Sequence, residues 1–205
     1  MKKLVIVVAI ALTFLSSQLY AADNGVYLGI GGGYAIQNFD TSDLSRVAVS
    51  NVNFDNSLAF DTKIGYHFNK WFSTEFDFDY MPEFSWKGFY NYGGNAYPTE
   101  IKVQIMTFMI AAKFSPDFGS PVVRPYVIVG GGIMSGKVDI NVSDYYVSAE
   151  ESTTKTEACA KIGGGIDFYV TKNISLGIEG SYVSGFSDLD KIRYTNLSGN
   201  FSYHF

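Results

Sequence analysis

Charged side chains recur at alternate positions along several segments of this 205-residue chain. Alternate residues of a β-strand lie on one face of a sheet, so these groups would gather on a single surface. The expected members of that surface are Asp61, Lys63, Glu75, Asp77, Asp79, Arg124, Glu157, Lys161, Asp167 and Glu179. Acids outnumber bases among them by seven to three. Gathered carboxylates and ammonium groups can form a buried ion network, hold cations or carry protons.

The supply of groups for catalysis is small, since the chain contains only two histidines, His67 and His204. Strand alternation and the turn positions put both near one rim of the predicted sheet. Capping a polar network suits that position better than acting as a general base. No cluster of metal ligands stands near either residue in the sequence. We therefore expect no catalytic residues, no metal site and no cofactor.

An unusually aromatic segment lies between Pro82 and Pro98. Its aromatic members are Phe84, Trp86, Phe89, Tyr90, Tyr92 and Tyr97. One interpretation is that the flanking strands continue through the segment and that its rings form an aromatic girdle at a membrane interface. The other is an exposed loop that binds an extracellular ligand, since binding residues concentrate on loops carried by a rigid scaffold. The sequence leaves both interpretations open.

The elements that position these groups are predicted to be β-strands. Within residues 58–80 the even positions are mainly apolar and the odd positions mainly polar, with Asn69-Lys70 as a tight turn. The same alternation returns within residues 157–183. A period of two residues is typical of strands that have two different faces.

Eight strands account for the patterned segments. We place them at 25–36, 57–69, 71–81, 100–114, 122–136, 156–170, 173–184 and 192–205. The connections at 69–71, 115–121 and 171–173 are short, those at 37–56, 82–99 and 137–155 are long, and the one at 185–191 is intermediate. Short turns at one rim and long loops at the other are typical of outer-membrane barrels. The predicted fold is all-β, an eight-stranded antiparallel up-and-down transmembrane β-barrel.

The strand at 100–114 does not keep one phase. Its apolar residues are odd from 101 to 105 and even from 108 to 114. A β-bulge inserts one extra residue and changes the face of every residue beyond it. If all of these apolar residues face lipid, we expect a bulge near Met106.

Two triple glycines lie inside predicted strands at equivalent places. Residues 27–34, Tyr-Leu-Gly-Ile-Gly-Gly-Gly-Tyr, match residues 126–133, Tyr-Val-Ile-Val-Gly-Gly-Gly-Ile, at an offset of 99 residues. The chain therefore looks like two similar halves of four strands each. Glycine within strands relieves crowding in a narrow, strongly curved barrel.

The charged face is continuous and the opposite face is almost free of charge, the reverse of a soluble barrel with an apolar interior. A closed sheet satisfies every backbone donor without leaving an edge, as the hydrocarbon region of a membrane requires. A charge on the lipid face near the midplane would cost about 2–4 kcal/mol. The pattern therefore predicts a lipid-facing wall around a polar lumen.

The first residues have the pattern of a secretory leader. Lys2 and Lys3 precede an apolar run over residues 4–15 that is too short to span a membrane, and Ala21-Ala22 supply small residues for cleavage. We expect a signal peptide over residues 1–21 and a barrel domain over residues 22–205. The formal net charge of −5 would become −7 on loss of the two lysines, which argues against nucleic acid as a partner.

The C-terminal strand carries the most specific signal. Phe201, Tyr203 and Phe205 alternate up to the last residue, and together with the triple-glycine strands this pattern resembles the small OmpA-like and OmpX-like outer-membrane barrels. The resemblance spans nearly all of residues 22–205. It implies an outer-membrane location and recognition of the terminal aromatic strand by the barrel assembly machinery. Full-length OmpA-type proteins differ in carrying a periplasmic peptidoglycan-binding domain.

The resemblance specifies location and fold more closely than activity. We expect a monomeric integral outer-membrane protein with a structural or surface-interaction role, in contact with membrane lipid and lipopolysaccharide. Its lumen is expected to be largely plugged by charged side chains. A small cation-preferring pore is the alternative. Because some barrels of this scaffold modify lipid A, an enzyme of that class is the weaker alternative.

Overall fold

The computed structural model describes residues 24–42, 52–92, 95–116, 120, 122–143 and 148–205, and the predicted signal peptide lies outside them. Eight antiparallel strands form a closed barrel in which consecutive strands pair and β1 pairs with β8. The strands are β1 Gly25–Gln37, β2 Ser57–His67, β3 Phe72–Tyr92, β4 Asn95–Phe114, β5 Val123–Ser143, β6 Ser148–Tyr169, β7 Ile174–Gly185 and β8 Arg193–His204. The predicted fold class is therefore confirmed.

Strand alternation puts large apolar side chains on the outside of the barrel. Along β2, buried and exposed residues follow one another at every position but the last. Ile30, Ile110 and Ile162 on the outer face are 63%, 67% and 63% exposed. Apolar area left in water forgoes about 25 cal/mol for each Å² that could be buried. Such a surface suits hydrocarbon, as the sequence pattern predicts.

Gly33 of β1 and Gly132 of β5 stand at equivalent places in the two halves. A Cβ on Gly33 would lie 2.0 Å from the Leu197 carbonyl oxygen, and one on Gly132 would lie 2.0 Å from the Phe108 carbonyl oxygen. Both distances are far below van der Waals contact. Glycine at these positions therefore allows neighbouring strands to approach closely, as the triple-glycine pattern predicts.

A β-bulge lies in β3, between Met81 and Phe84. Both residues are buried in the lumen although one number is odd and the other even, so the bulge changes the phase of the strand. Pro82 has no N–H and cannot donate to the ladder. The backbone N–H of Glu83 donates to Ser57 Oγ at 3.2 Å instead.

β4, in contrast, keeps one phase throughout. Its odd residues from 101 to 113 are buried in the lumen, and Phe108, Ile110 and Phe114 are exposed on the outer face. The predicted bulge near Met106 is therefore wrong. The prediction assumed that every apolar residue of this strand faces lipid, whereas the upper part of the lumen is itself apolar.

Four consecutive strands extend beyond the other four at the long-loop end. β3, β4, β5 and β6 contain 21, 20, 21 and 22 residues, whereas β1, β2, β7 and β8 contain 13, 11, 12 and 12. About 9–11 residues are enough to span a membrane. The segments 82–99 and 137–155, which we expected to be loops, are largely strand. Residues 83–92, 95–104, 137–143 and 148–157 form a raised sheet at the long-loop end.

The lumen has two layers. Polar side chains fill the layer toward the short turns, which we call the lower lumen. Apolar side chains fill the layer toward the long loops, and the connections contribute Val52, Phe54 and Leu189 to it. The buried members of this apolar plug are Ala35, Val52, Phe54, Ala59, Met81, Phe84, Trp86, Ile101, Val103, Ile105, Met109, Met134, Cys159, Val183, Leu189 and Tyr194.

Candidate functional site

The lower lumen holds a buried ion network organised around lysines. Lys161 Nζ lies 2.8 Å from Glu179 Oε1 and 3.1 Å from Asp77 Oδ2. Lys63 Nζ lies 3.3 Å from Glu179 Oε2. Glu179 on β7 is thus shared by ammonium groups from β2 and β6, which ties opposite walls of the barrel together.

Lys113 on β4 is a member of the network that sequence reasoning missed. Its Nζ lies 2.8 Å from Asp167 Oδ2 and 3.4 Å from Glu75 Oε1, and the residue is 4% exposed. The assumed change of phase in β4 had left the facing of this strand unassigned. Its odd position was the available signal, because the odd residues of β4 from 101 to 113 face inward.

Two tyrosines from equivalent places in the two halves complete the network. Tyr27 OH donates to Glu75 Oε1, and Tyr126 OH donates to Glu179 Oε2 at 2.9 Å. Lys113 Nζ lies 3.8 Å from the centre of the Tyr126 ring and 5.9 Å from that of Tyr27. Both distances allow a cation–π attraction. The internal repeat therefore places a phenol on each side of the missed lysine.

Two of the ten predicted network residues lie at its margins. Arg124 stands near the short-turn end, with its guanidinium carbon 4.7 Å from the centre of the Tyr169 ring. Glu157 is half-buried on β6 opposite Met134, and it forms none of the lumen ion pairs among the described residues. The other eight predicted residues face the lower lumen together.

The two histidines lie at the short-turn end, as expected. The His67 and His204 rings stack on Tyr27, with centre distances of 4.5 and 5.2 Å. Ser175 Oγ lies 2.9 Å from His204 Nε2, which places a hydroxyl beside a histidine. Within the described part of the chain, His204 Nδ1 has no hydrogen-bond partner, and no group of three His, Cys, Asp or Glu side chains is placed to hold a metal ion.

Phe84 and Trp86 belong to the apolar plug. They are 0% and 6% exposed, and Phe84 packs edge-on against Phe39 with ring centres 5.1 Å apart. Gly88 leaves room for the Trp86 ring, because a Cβ there would lie 2.3 Å from Trp86 Cζ2. Their assignment to an exposed binding surface is therefore wrong. The bulge at Pro82 turns both rings inward.

A belt of paired charges crosses the outer face of the raised sheet. Lys87 Nζ lies 3.2 Å from Glu100 Oε1, and Lys102 Nζ lies 3.4 Å from Glu83 Oε2. Hydrogen bonding from Lys87 holds the pKa of Glu100 below its ordinary value. The members of this charged belt are Glu83, Lys87, Glu100, Lys102, Lys137 and Asp139.

Beyond the charged belt lies an exposed apolar pair, Phe89 and Pro98. The two residues are partners across β3 and β4, and Phe89 is 50% exposed. Outward positions at Glu83, Ser85 and Lys87 separate Phe89 from the apolar wall below. Phe89 is therefore placed above the lipid-facing band instead of in an aromatic girdle. A shallow depression of about 370 Å³ beside it is lined by Lys87, Gly88, Phe89, Pro98, Thr99, Glu100 and Asn141.

The other aromatic residues of the hairpin lie nearer its tip. Tyr97 is half-buried and pairs with Tyr90 across the ladder. The side chains of Tyr90 and Tyr92 lie outside the described residues. Phe89 and Tyr97 are thus the predicted surface aromatics whose side chains the structure describes outside the plug.

The aromatic C-terminal strand closes the barrel. Phe201 pairs with Ile30 of β1 and is 43% exposed on the outer face. Tyr203 and Phe205 pack edge-on with ring centres 5.1 Å apart. The three rings therefore belong to the barrel wall, and their recognition by the assembly machinery stays a prediction.

Comparison with known families identifies this barrel. Residues 7–205 match the family described as the outer membrane protein β-barrel domain. The chain belongs to this family. Its location is accordingly the outer membrane. No curated protein matches the sequence.

Solved structures of other outer-membrane barrels share the fold. Neisserial surface protein A is 15% identical at a TM-score of 0.56, covering 90% of this chain and 99% of its own. Ail of Yersinia pestis is 15% identical at a TM-score of 0.57, covering 90% and 100%. A major outer membrane protein of Thermus thermophilus is 10% identical at a TM-score of 0.60, covering 88% and 99%. At these identities the likeness shows the fold alone.

Membership of the outer-membrane barrel family orients the molecule. Such barrels carry short turns on the periplasmic side and longer loops on the extracellular side. The raised sheet, the charged belt and the Phe89–Pro98 pair are therefore on the extracellular side, and the histidines are near the periplasmic rim. Among the described residues, no helix is long and apolar enough to cross a membrane.

Proposed function

We propose that this barrel is a surface-exposed binding protein and that the outer face of its raised sheet carries the binding site. The observation behind the proposal is the exposed Phe89–Pro98 pair, which stands beyond the charged belt on the extracellular side. An aromatic ring held on a paired strand loses little conformational freedom when it is covered. Such rings are frequent anchors at protein interfaces.

The surroundings of the pair suit a mixed apolar and polar partner. Lys87 and Glu100 lie beside it, and both also line the shallow depression next to Phe89. On β4, Pro98 lies six residues beyond Gln104, which is about 20 Å along the strand and clears the pair from the membrane. Ail, which shares the fold, has a solved structure in complex with the heparin analogue sucrose octasulfate. A barrel of this type can therefore hold a ligand.

Phe89→Ser should weaken attachment while leaving the barrel folded, because the ring is outside the plug. Cells that display the protein are tested on immobilised matrix proteins, heparin and purified lipopolysaccharide. Phe186→Ser is the matched control, since Phe186 is also 50% exposed and also lies at the long-loop end, after β7. Loss of attachment with Phe89→Ser alone supports the proposal. Equal attachment of both variants and the wild type to every ligand contradicts it.

We further propose that the lumen is closed and has a structural role. The ion network fills the lower lumen and the apolar plug fills the part above it, so a hydrated ion would meet two different obstructions. Purified protein in a planar lipid bilayer should give no stable openings. Regular cation-selective openings would support the alternative of a small pore.

Catalysis is left out of this proposal. The Ser175–His204 pair resembles part of a nucleophilic site, but a third group on Nδ1 usually orients such a histidine.

We also propose a monomer that contacts membrane lipid through its wall and lipopolysaccharide through the lysines of the charged belt. Cross-linking in intact outer membranes tests the oligomeric state, and a dimer band would contradict it.

A further inference from the structure

Three inward-facing oxygens converge beside Gly31 in the lumen. Gly31 on β1 lies between Asp61 on β2 and Asn200 on β8 in the strand register. A Cβ placed on Gly31 would lie 2.1 Å from Asn200 Oδ1 and 2.3 and 2.4 Å from the two carboxylate oxygens of Asp61. A side chain at this position would collide with all three oxygens, so glycine is what allows them to gather there.

These oxygens are buried and lack donors. Asp61 and Asn200 are 5% and 7% exposed, and among the described residues neither oxygen of Asp61 nor Oδ1 of Asn200 has a hydrogen-bond partner. The Asn200 amide donates to Ser198 Oγ at 3.4 Å, which directs its carbonyl oxygen away from that contact. Lys63 Nζ is 3.9 Å from Asp61 Oδ1, beyond hydrogen-bonding distance, and its closer partner is Glu179.

A second carboxylate stands directly opposite Asp61. Asp79 on β3 is the register partner of Asp61 and is 2% exposed. Its Oδ2 accepts a hydrogen bond from Thr107 at 3.2 Å, and among the described residues no lysine lies within ion-pair distance of it. Opposed residues of an antiparallel pair have Cβ atoms about 4.5–5.5 Å apart. Two like charges this close destabilise the barrel unless something neutralises them.

The lysines of the lumen are already engaged elsewhere. Their short ion pairs reach Glu75, Asp77, Asp167 and Glu179. If both are ionised, Asp61 and Asp79 bring a combined charge of −2 to the boundary between the lower lumen and the apolar plug, and the Lys63 ammonium, 3.9 Å from Asp61 Oδ1, offsets it only in part. Burying uncompensated charge is costly, so a proton or a cation is required there.

We propose that Asp61, Asp79 and Asn200 bind a hard divalent cation, Ca²⁺ in the first instance. Carboxylate and amide oxygens are its preferred ligands, and water completes its coordination of six to eight oxygens. The two positive charges balance the two carboxylates, and the cation joins β2, β3 and β8 across the line where β1 and β8 close the barrel. This role is structural and is independent of ligand binding by the raised sheet.

Purified wild-type protein is refolded in detergent micelles in a phosphate-free buffer that contains either Ca²⁺ or a chelator. Bound ⁴⁵Ca²⁺ is then measured by equilibrium dialysis. Saturable binding of one ion per chain is expected. Free Ca²⁺ at one hundred times its Kd should raise the folding equilibrium constant about a hundredfold, measured by urea unfolding. Absence of ⁴⁵Ca²⁺ binding at millimolar Ca²⁺ would overturn the proposal, and a shared proton on the two carboxylates would then be the explanation.

Asp61→Asn and Asp79→Asn are nearly isosteric tests of the ligands. Each should lose the ion and the Ca²⁺-dependent gain, and in chelator each should be at least as resistant to urea as the wild type, because one of the opposed charges is gone. Asp188→Asn, an exposed acid after β7, should keep the full response. If Asp61→Asn binds Ca²⁺ as the wild type does, the site is elsewhere and the assignment fails. Dialysis of the wild type decides the question if a variant does not refold.

Discussion

The buried lysines act through several carboxylates at once. Lys161 contacts Asp77 and Glu179 with 3% of its side chain exposed, so its ammonium offsets charges on two strands. Lys155 lies nearer the long-loop end of the same strand and pairs with Asp188 in the open, with half of its side chain exposed. The two lysines lie on the same strand, but one is buried between carboxylates and the other is exposed to solvent.

Lys161→Met should lower the free energy of unfolding by about 3–5 kcal/mol, because it leaves buried carboxylates without their counter-ion. Lys155→Met should leave it nearly unchanged, since an exposed ion pair contributes little. Urea unfolding in lipid vesicles, followed by tryptophan fluorescence, measures both. Equal effects of the two substitutions would show that the lumen network adds no more than a surface pair.

At the scale of elements, the β3–β4 hairpin serves two purposes that are separated along its length. Below Lys87 its inward residues, Phe84 and Trp86, complete the apolar plug. Above it, the Phe89–Pro98 pair faces the outside. The boundary matters for any attempt to remove the hairpin without unfolding the barrel.

Replacement of residues 88–97 by a Gly/Ser linker should leave the unfolding midpoint close to that of the wild type. Replacement of residues 84–97 should lower it strongly, because loss of a buried Phe or Trp costs about 3–5 kcal/mol for each ring. Heat-modifiable gel migration and urea unfolding compare the two. Equal stability of the two replacements would mean that Phe84 and Trp86 contribute nothing to the plug.

The elements themselves were predicted with uneven success. The ends of the strands at the short turns agree with the sequence pattern within about two residues, because turn residues such as Asn69-Lys70 interrupt the alternation there. The strands β3, β4, β5 and β6 were predicted too short at their long-loop ends. The bulge between Met81 and Phe84 shifts the phase of β3 just before its inward residues Phe84 and Trp86, which hides the continuing strand. Nearer the tip both faces of a strand meet water, so the alternation weakens.

At the scale of the whole molecule, the position of the barrel in the membrane follows from its outer face. Ile110 is 67% exposed within the apolar wall of β4, and Gln104 faces outward about 20 Å farther along the same strand. Gln104 lies next to the charged belt, opposite Lys137. The upper limit of the hydrocarbon region should therefore fall between the two residues.

Ile110→Arg should make folding into lipid vesicles less favourable by about 2–4 kcal/mol, the cost of a cation near the bilayer midplane. Gln104→Arg should cost about 0–1 kcal/mol, as is typical near the interface. Folding titrations in urea with vesicles give both values. A larger cost at Gln104 than at Ile110 would place the lipid band around the raised sheet.

The sequence by itself determined the barrel, its eight strands, the lipid-facing wall and eight of the inward charges. Each of these depends on a period of two residues, which the chain carries locally. Only the tertiary structure decided that the apolar side chains of β3 and β4 near the long loops fill the lumen, because an apolar side chain has the same pattern whether it meets lipid or a plug. These side chains are Phe84, Trp86, Ile101, Val103 and Ile105. Tertiary structure alone also brought Lys113 between Glu75 and Asp167, and Asp61 beside Asn200. Those contacts depend on the register between strands, which no single segment of the sequence contains.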